Sequence, residues 1–299
     1  MLIMKQKERI AIAGIIFVNI MWGLSFIGSK SAMAAGLQPF SLVSLRFLTA
    51  SAVLFPLTAV LGEKLKISLR DVPGLFLSAL FGMTVYFYFE LNGLKKTSAA
   101  TAALIIALIP IFTMITELIL YRKKPAWIQW IGAVVSLIGV YIVVNDTDSG
   151  TTVTGVLLML GACACWVIYG EITDRLLKRL PTMTVTCWQS LFSLVTLIPM
   201  CFTEKVPWTE LGSGAWMWAC LFLGLICSAV CYILYNHSIA ELSPGRTAIF
   251  LNLNPIAAAA GSVLILGEPL SPRLIIGGVI VLASLFLVNK FKPEVKRDV

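Results

Sequence analysis

The chain has 299 residues, 59% of them hydrophobic and 13% charged, with a net charge of +8 and a mean hydropathy of +0.92. A water-soluble domain carries about 25% charged residues. So much apolar surface cannot be folded away from water, which excludes a soluble enzyme, a disordered chain and a secreted disulfide scaffold.

In chain order the apolar runs predict ten membrane helices. In the first half they are Ile10–Ser29, Pro39–Leu61, Val72–Asn92, Ser98–Tyr121 and Trp127–Val144. In the second they are Val153–Glu171, Met183–Phe202, Trp216–His237, Thr247–Leu266 and Pro272–Lys290. A spanning helix takes roughly 20 apolar residues, so ten leave only about 100 for loops and tails, too few for a domain outside the bilayer. Strands of a membrane barrel would be about 9–11 residues long and alternating, which these runs are not. Lys5, Lys7 and Arg9 ahead of the first run, with Ala32-Met33-Ala34 behind it, resemble a cleaved leader. The apolar core of a leader is only about 7–15 residues, so a retained first span is expected.

Counting crossings from a cytoplasmic N-terminus places seventeen Lys and Arg on the inside, five on the outside (Lys30, Lys95, Lys96, Lys205 and Arg273) and Arg46 within a span. That asymmetry is the positive-inside pattern, with both termini cytoplasmic. In a bacterial-type cell the expected location is the inner (cytoplasmic) membrane. The basic charge therefore reports topology and contact with acidic lipid, and no nucleic-acid partner is expected. The seven Cys lie in or at the ends of apolar runs with no clustered His or Asp. They read as small apolar fillers, and no metal or cofactor is expected.

The chain also repeats itself. At an offset of 145, Ser98 meets Ser243, Pro110 meets Pro255 and Gly132 meets Gly277, and at 144 Trp22 meets Trp166. Two units of five spans follow, residues 1–146 and 147–299. Five is odd, so the second unit enters the membrane from the opposite side. Inverted repeats of this kind build secondary transporters with a solute site near the midplane between the halves. The expected fold is thus all-α integral membrane, ten helices as two inverted five-helix repeats.

Several stretches carry a family resemblance. Gly93-Leu-Lys-Lys-Thr-Ser-Ala-Ala100 with Ala107-Leu-Ile-Pro110 resembles the EamA family of the drug/metabolite transporter superfamily. So do Ser243-Pro-Gly-Arg-Thr-Ala248, Asn252-Leu-Asn-Pro255, Leu266-Gly-Glu-Pro269, Trp22-Gly-Leu-Ser-Phe26 and Leu45-Arg-Phe47. The resemblance covers nearly the whole chain and implies a ten-helix secondary transporter, often an exporter of amino acids or other small metabolites. One departure is visible: the Gly267-Glu268 pair of the second unit is Arg122-Lys123 in the first.

Charged side chains inside a span need a reason, because insertion at mid-bilayer costs about 2.5–3.5 kcal/mol. Glu90 follows Tyr86 by one turn, and an aromatic wall with a carboxylate suits an amine-bearing solute or a proton. Its alternative is to reach the nearby interface. At the same offset Glu90 faces Tyr235. His237, the one His of the chain, is the other candidate proton carrier, against a solvated end-of-helix role. Arg46 either snorkels outward or serves as a buried counter-ion. The candidate solute-binding set is Trp22, Ser25, Tyr86, Glu90, Trp166, Tyr169, Tyr232, Asn252 and Asn254, where a Trp or Asn packing between helices is the alternative. Gly23-Leu-Ser-Phe-Ile-Gly28-Ser-Lys30-Ser31 nearly spells a phosphate loop, but its spacing is wrong and no strand precedes it.

The sequence therefore predicts a non-enzymatic transporter, monomer or homodimer, of a small-molecule metabolite, in contact with membrane lipid and working by alternating access. A lipid-modifying membrane enzyme or a channel is the alternative.

Overall fold

The computed structural model describes residues 2–63, 65–122, 124–144, 150–204, 214–267 and 270–290, so Lys123 and Glu268 lie outside it. Among the described residues the secondary structure is helical throughout. We number the helices α1 (Leu2–Ala34), α2 (Pro39–Val60), α3 (Val72–Leu94), α4 (Ala99–Tyr121) and α5 (Trp127–Val144). The second half holds α6 (Val153–Leu177), α7 (Thr182–Cys201), α8 (Trp216–Leu242), α9 (Pro244–Leu266) and α10 (Pro272–Lys290). Eight are long and apolar enough to cross a membrane by length and composition. The other two, α5 and α10, have 18 and 19 residues, about 27–29 Å at the helical rise. Turns and caps separate them; Ser98, for example, accepts a hydrogen bond from the Thr101 N–H at 3.0 Å to start α4.

Contact registers give the directions. Along α1 the partners on α8 fall as the numbers rise, from Ala11 with Ser238 to Trp22 with Cys227, so the two run antiparallel. α3 and α6 do the same, with Gly74 on Leu176 and Gly93 on Met159. Repeat-equivalent helices are themselves antiparallel: α2 against α7 through Ser44–Cys201 and Thr58–Cys187, and α5 against α10. α1 and α9 run parallel, with Gly23 on Ala257 and Ile27 on Gly261. The fold is the inverted pair of five-helix bundles that the repeat predicts.

α5 and α10 pack backbone to backbone. A Cβ built on Gly139 would stand 2.8 Å from the Gly277 carbonyl oxygen, and one on Gly277 would stand 2.6 Å from that of Gly139. No larger residue fits either place, and Ser136 and Ser284 share a hydrogen bond of 2.5 Å beside them.

The repeat extends to the irregular backbone. α4 breaks after Ile106 and α9 passes through a 3₁₀ turn at Phe250–Leu253, each just ahead of its proline, Pro110 or Pro255. Proline lacks the N–H and clashes with the preceding turn, so the helix must interrupt there. α3 and α8 each contain a π-helical stretch, Leu80–Val85 and Ala219–Val230, whose last residues are again 145 apart. The ends of α4 and α9 match too: Arg122 (φ 53°) and Gly267 (φ 66°) are both left-handed caps, hydrogen-bonded to the equivalent carbonyls of Glu117 and Ser262.

Candidate functional site

The irregular segments converge. Ile106 and Ile109 at the break of α4, and Leu251 and Asn254 at that of α9, border a cavity of about 20 Å³ with Trp22, Ser25, Phe26, Arg46, Tyr86, Phe87, Glu90, Trp166 and Tyr232. Four pairs in this wall are repeat equivalents at offsets of 144 or 145: Trp22 with Trp166, Phe87 with Tyr232, Ile106 with Leu251 and Ile109 with Asn254. A pseudo-twofold axis therefore passes through the cavity, as inverted repeats require of a shared site. Its volume of about 20 Å³ holds about one water molecule, so no organic solute fits in this conformation.

The wall is aromatic. The indoles of Trp22 and Trp166 meet edge to face with centroids 5.2 Å apart, and Tyr86 lies 4.8 Å from Trp166. Hydrogen bonds fix the rings: Trp22 Nε1–H donates to the Cys227 carbonyl at 2.9 Å and Trp166 Nε1–H to the Tyr235 hydroxyl at 2.8 Å. The Tyr232 hydroxyl donates to the Gly82 carbonyl, within the π stretch of α3, at 3.2 Å.

Two charges break the symmetry, both from the first half. Glu90 is 6% exposed and accepts a hydrogen bond from the Tyr86 hydroxyl at 3.2 Å. It does not reach the interface, since α3 carries it inward against α1 and α6. Arg46, 2% exposed, does not snorkel. Its Nε–H donates to the Ser228 hydroxyl at 3.1 Å, and its guanidinium lies over the Phe87 ring at 4.5 Å. Among the described residues no ion pair joins Arg46 to Glu90, although both border the same cavity.

Of the residues singled out from sequence, Trp22, Ser25, Tyr86, Glu90, Trp166, Tyr232 and Asn254 come together in this wall; Tyr169, Asn252 and His237 do not border it. Tyr169 is fully buried behind Trp166, its hydroxyl donating to Asn236 Oδ1 at 2.6 Å. Asn252 sits in the 3₁₀ turn, which rotates it off the face that Leu251 and Asn254 present. His237 is half-buried, five residues beyond Tyr232 on α8. Arg46, Phe26 and Phe87 also line the wall, and for Arg46 the buried one of its two expected placements is the one found; aligning the in-helix prolines Pro56 and Pro199, 143 apart, would have set Arg46 opposite Gln189.

Gln189 belongs to a second polar cluster, buried at 0–1% exposure. Asn236 Nδ2 donates to Gln189 Oε1 and to Thr186 Oγ1, while Gln189 Nε2 donates to Ser78 and Thr173, all at 2.9–3.0 Å. Ties between the halves lie at both faces. On the face bearing the termini, Arg179 pairs with Asp71 at 3.2 Å, Arg246 with Glu8 at 2.7 Å, and the Tyr121 hydroxyl donates to Glu171 at 2.6 Å. On the opposite face the Glu204 carboxylate caps the start of α2, accepting from the Phe40 and Ser41 N–H groups at 2.9 and 2.8 Å.

This geometry has a counterpart among known proteins. The model of the EamA-like transporter family matches the chain twice, over residues 9–145 and 153–290. The chain belongs to that family. An uncharacterized transporter of Archaeoglobus fulgidus is 27% identical over 89% of this chain and 94% of its own. A probable terminal-alkyne amino-acid exporter of Streptantibioticus cattleyicolor is 25% identical over 95% of each. A crystal structure at 17% identity superposes with a TM-score of 0.71 over 95% of this chain and 96% of the other, a likeness of fold alone. Family and relatives point to a multi-pass membrane transporter rather than an enzyme. The two matched stretches of the transporter carry the helices that converge on the cavity.

Proposed function

We propose that the transporter moves a small organic metabolite, an amino acid or a related compound, out across the cytoplasmic membrane by alternating access. The observation that carries this reading is the cavity itself: it lies where the two inverted halves meet and is walled by equivalent residues from both. Exchanging the packings of the halves would open such a site to one face and then the other, and ties at both faces fit a closed intermediate. The name of the Streptantibioticus relative supports amino acids and export. The excess of Lys and Arg on one side supports cytoplasmic termini. Glu90 is the coupling group in this scheme, holding a proton or the amine of the solute in turn. His237 lies outside the wall, and this scheme assigns it no role.

The test is a thermal-shift screen of purified protein against amino acids, nucleosides and amines, followed by counterflow of each hit in proteoliposomes. At least one amino acid is expected to raise the melting temperature and to exchange. Absence of exchange for every solute would overturn the proposal.

A further inference from the structure

Building on that site, we infer that Arg46 and Glu90 hold opposite ends of one zwitterionic solute. Arg46 takes its carboxylate, and Glu90 with Asn254 takes its ammonium. Arg46 is a specificity-determining residue of the first repeat.

The argument starts from unused bonding capacity. A guanidinium has five N–H donors, and among the described residues Arg46 uses one, Nε–H on Ser228. That bond and the Phe87 ring fix the plane of the group and leave the two Nη atoms, whose parallel N–H bonds match the two oxygens of a carboxylate. In the wall of the same cavity Glu90 accepts one hydrogen bond, from Tyr86. Asn254, 2% exposed in the same wall, has a buried Oδ1 with no hydrogen-bond partner among the described residues. The wall thus offers donors at one place and acceptors at another.

Charge balance selects the solute. Two buried charges that served only packing would neutralise each other in direct contact, because an uncompensated buried charge is strongly destabilising. Here they border one cavity with no ion pair between them among the described residues. A plain amine would leave Arg46 unmatched and a plain carboxylate would leave Glu90 unmatched, whereas a zwitterion answers both. The second repeat shows that the architecture does not itself demand these charges, since Gln189 and Tyr235 stand at the equivalent positions. Trp22, Trp166 and Tyr232 are left to contact the solute's side chain.

The experiment is counterflow of a panel of radiolabelled L-amino acids in proteoliposomes, with their methyl esters and N-acetyl forms as competitors. Each amino acid that exchanges is expected to compete about tenfold or more better than either derivative, one tenfold step being the loss of one modest charged contact. In Arg46→Gln the preference for acid over ester disappears while that for free over acetylated amine persists, and Arg46→Lys restores part of the former. If Arg46→Gln does not purify as a single species, the wild-type comparison of acid with ester decides alone. Equal competition by acid and ester would overturn the assignment of Arg46. Exchange of plain amines or uncharged solutes, with no amino acid exchanged, would overturn the zwitterion and leave the transporter standing. Exchange of nothing would remove the transport reading as well.

Discussion

In the second repeat Gln189 sits in a closed set of hydrogen bonds with Asn236, Thr173 and Ser78, and Tyr235 accepts from Trp166. The equivalent places in the first repeat hold Arg46 and Glu90, each buried and each with bonding capacity left over toward the cavity. Both arrangements occupy repeat-equivalent places in the same fold. A polar group whose partners all belong to the protein holds helices together, because removing one partner strands the others in a low-dielectric interior. A charge whose partners are incomplete holds nothing so firmly, and its cost is retained for what enters from outside. The difference leaves the charges of the site on the first half, while the equivalent places of the second hold structural hydrogen bonds.

That division can be broken by substitution. The largest effect expected is in Glu90→Gln, which should lose uptake driven by an imposed pH gradient down to background while solute exchange is weakened but retained, because the amide still accepts from the ammonium and carries no proton, with its melting temperature unchanged or raised. Gradient-driven flux at the wild-type rate would put coupling elsewhere. Asn236→Leu should behave in the opposite sense. It removes the acceptor of the Tyr169 hydroxyl and the donor to Gln189 Oε1 and Thr186 Oγ1, a loss of about 2–4 kcal/mol, read as a large fall in melting temperature by a thermal assay of the purified protein. If Asn236→Leu melts like the wild type, the second cluster does not hold the helices together. A smaller loss is expected from Glu204→Ala, which uncaps the first turn of α2 at about 1–2 kcal/mol; an unchanged melting temperature would show that water replaces the carboxylate at no cost. The smallest change is a gain. Arg122→Gly places glycine where Gly267 already caps the equivalent helix, releasing about 1 kcal/mol of left-handed backbone strain. A fall in melting temperature would mean that the Arg122 charge at the helix end outweighs that release.

The architecture was legible because it rests on signals that survive in a bare sequence. Pro110 and Pro255 interrupt helices wherever they occur, and their common offset exposed the repeat before any contact was known. The departure of Arg122 from glycine was legible as well, though only the shared left-handed cap explains what it changes. The site was half legible. Composition marks Glu90 as costly, but which face of a helix turns inward is settled by its neighbours. Ser25 borders the cavity while Tyr169, its equivalent 144 residues on, is turned behind Trp166. The π-helical stretches of α3 and α8 left no mark in the apolar pattern, because one extra residue per turn is invisible among uniformly apolar side chains. Arg46 was placed within a span by counting crossings, but its direction came from Ser228, 182 positions away.

The glycine contact between α5 and α10 sets an order on biogenesis. Its two backbones come from the ends of the two repeats, so α5 enters the lipid with Gly139 bare and waits for more than a hundred further residues to be made. Until α10 is inserted, α5 lacks its main packing partner. A nascent chain cut short before Pro272 would therefore lack this contact however well its other helices had formed, which makes the final helix the one whose arrival completes assembly.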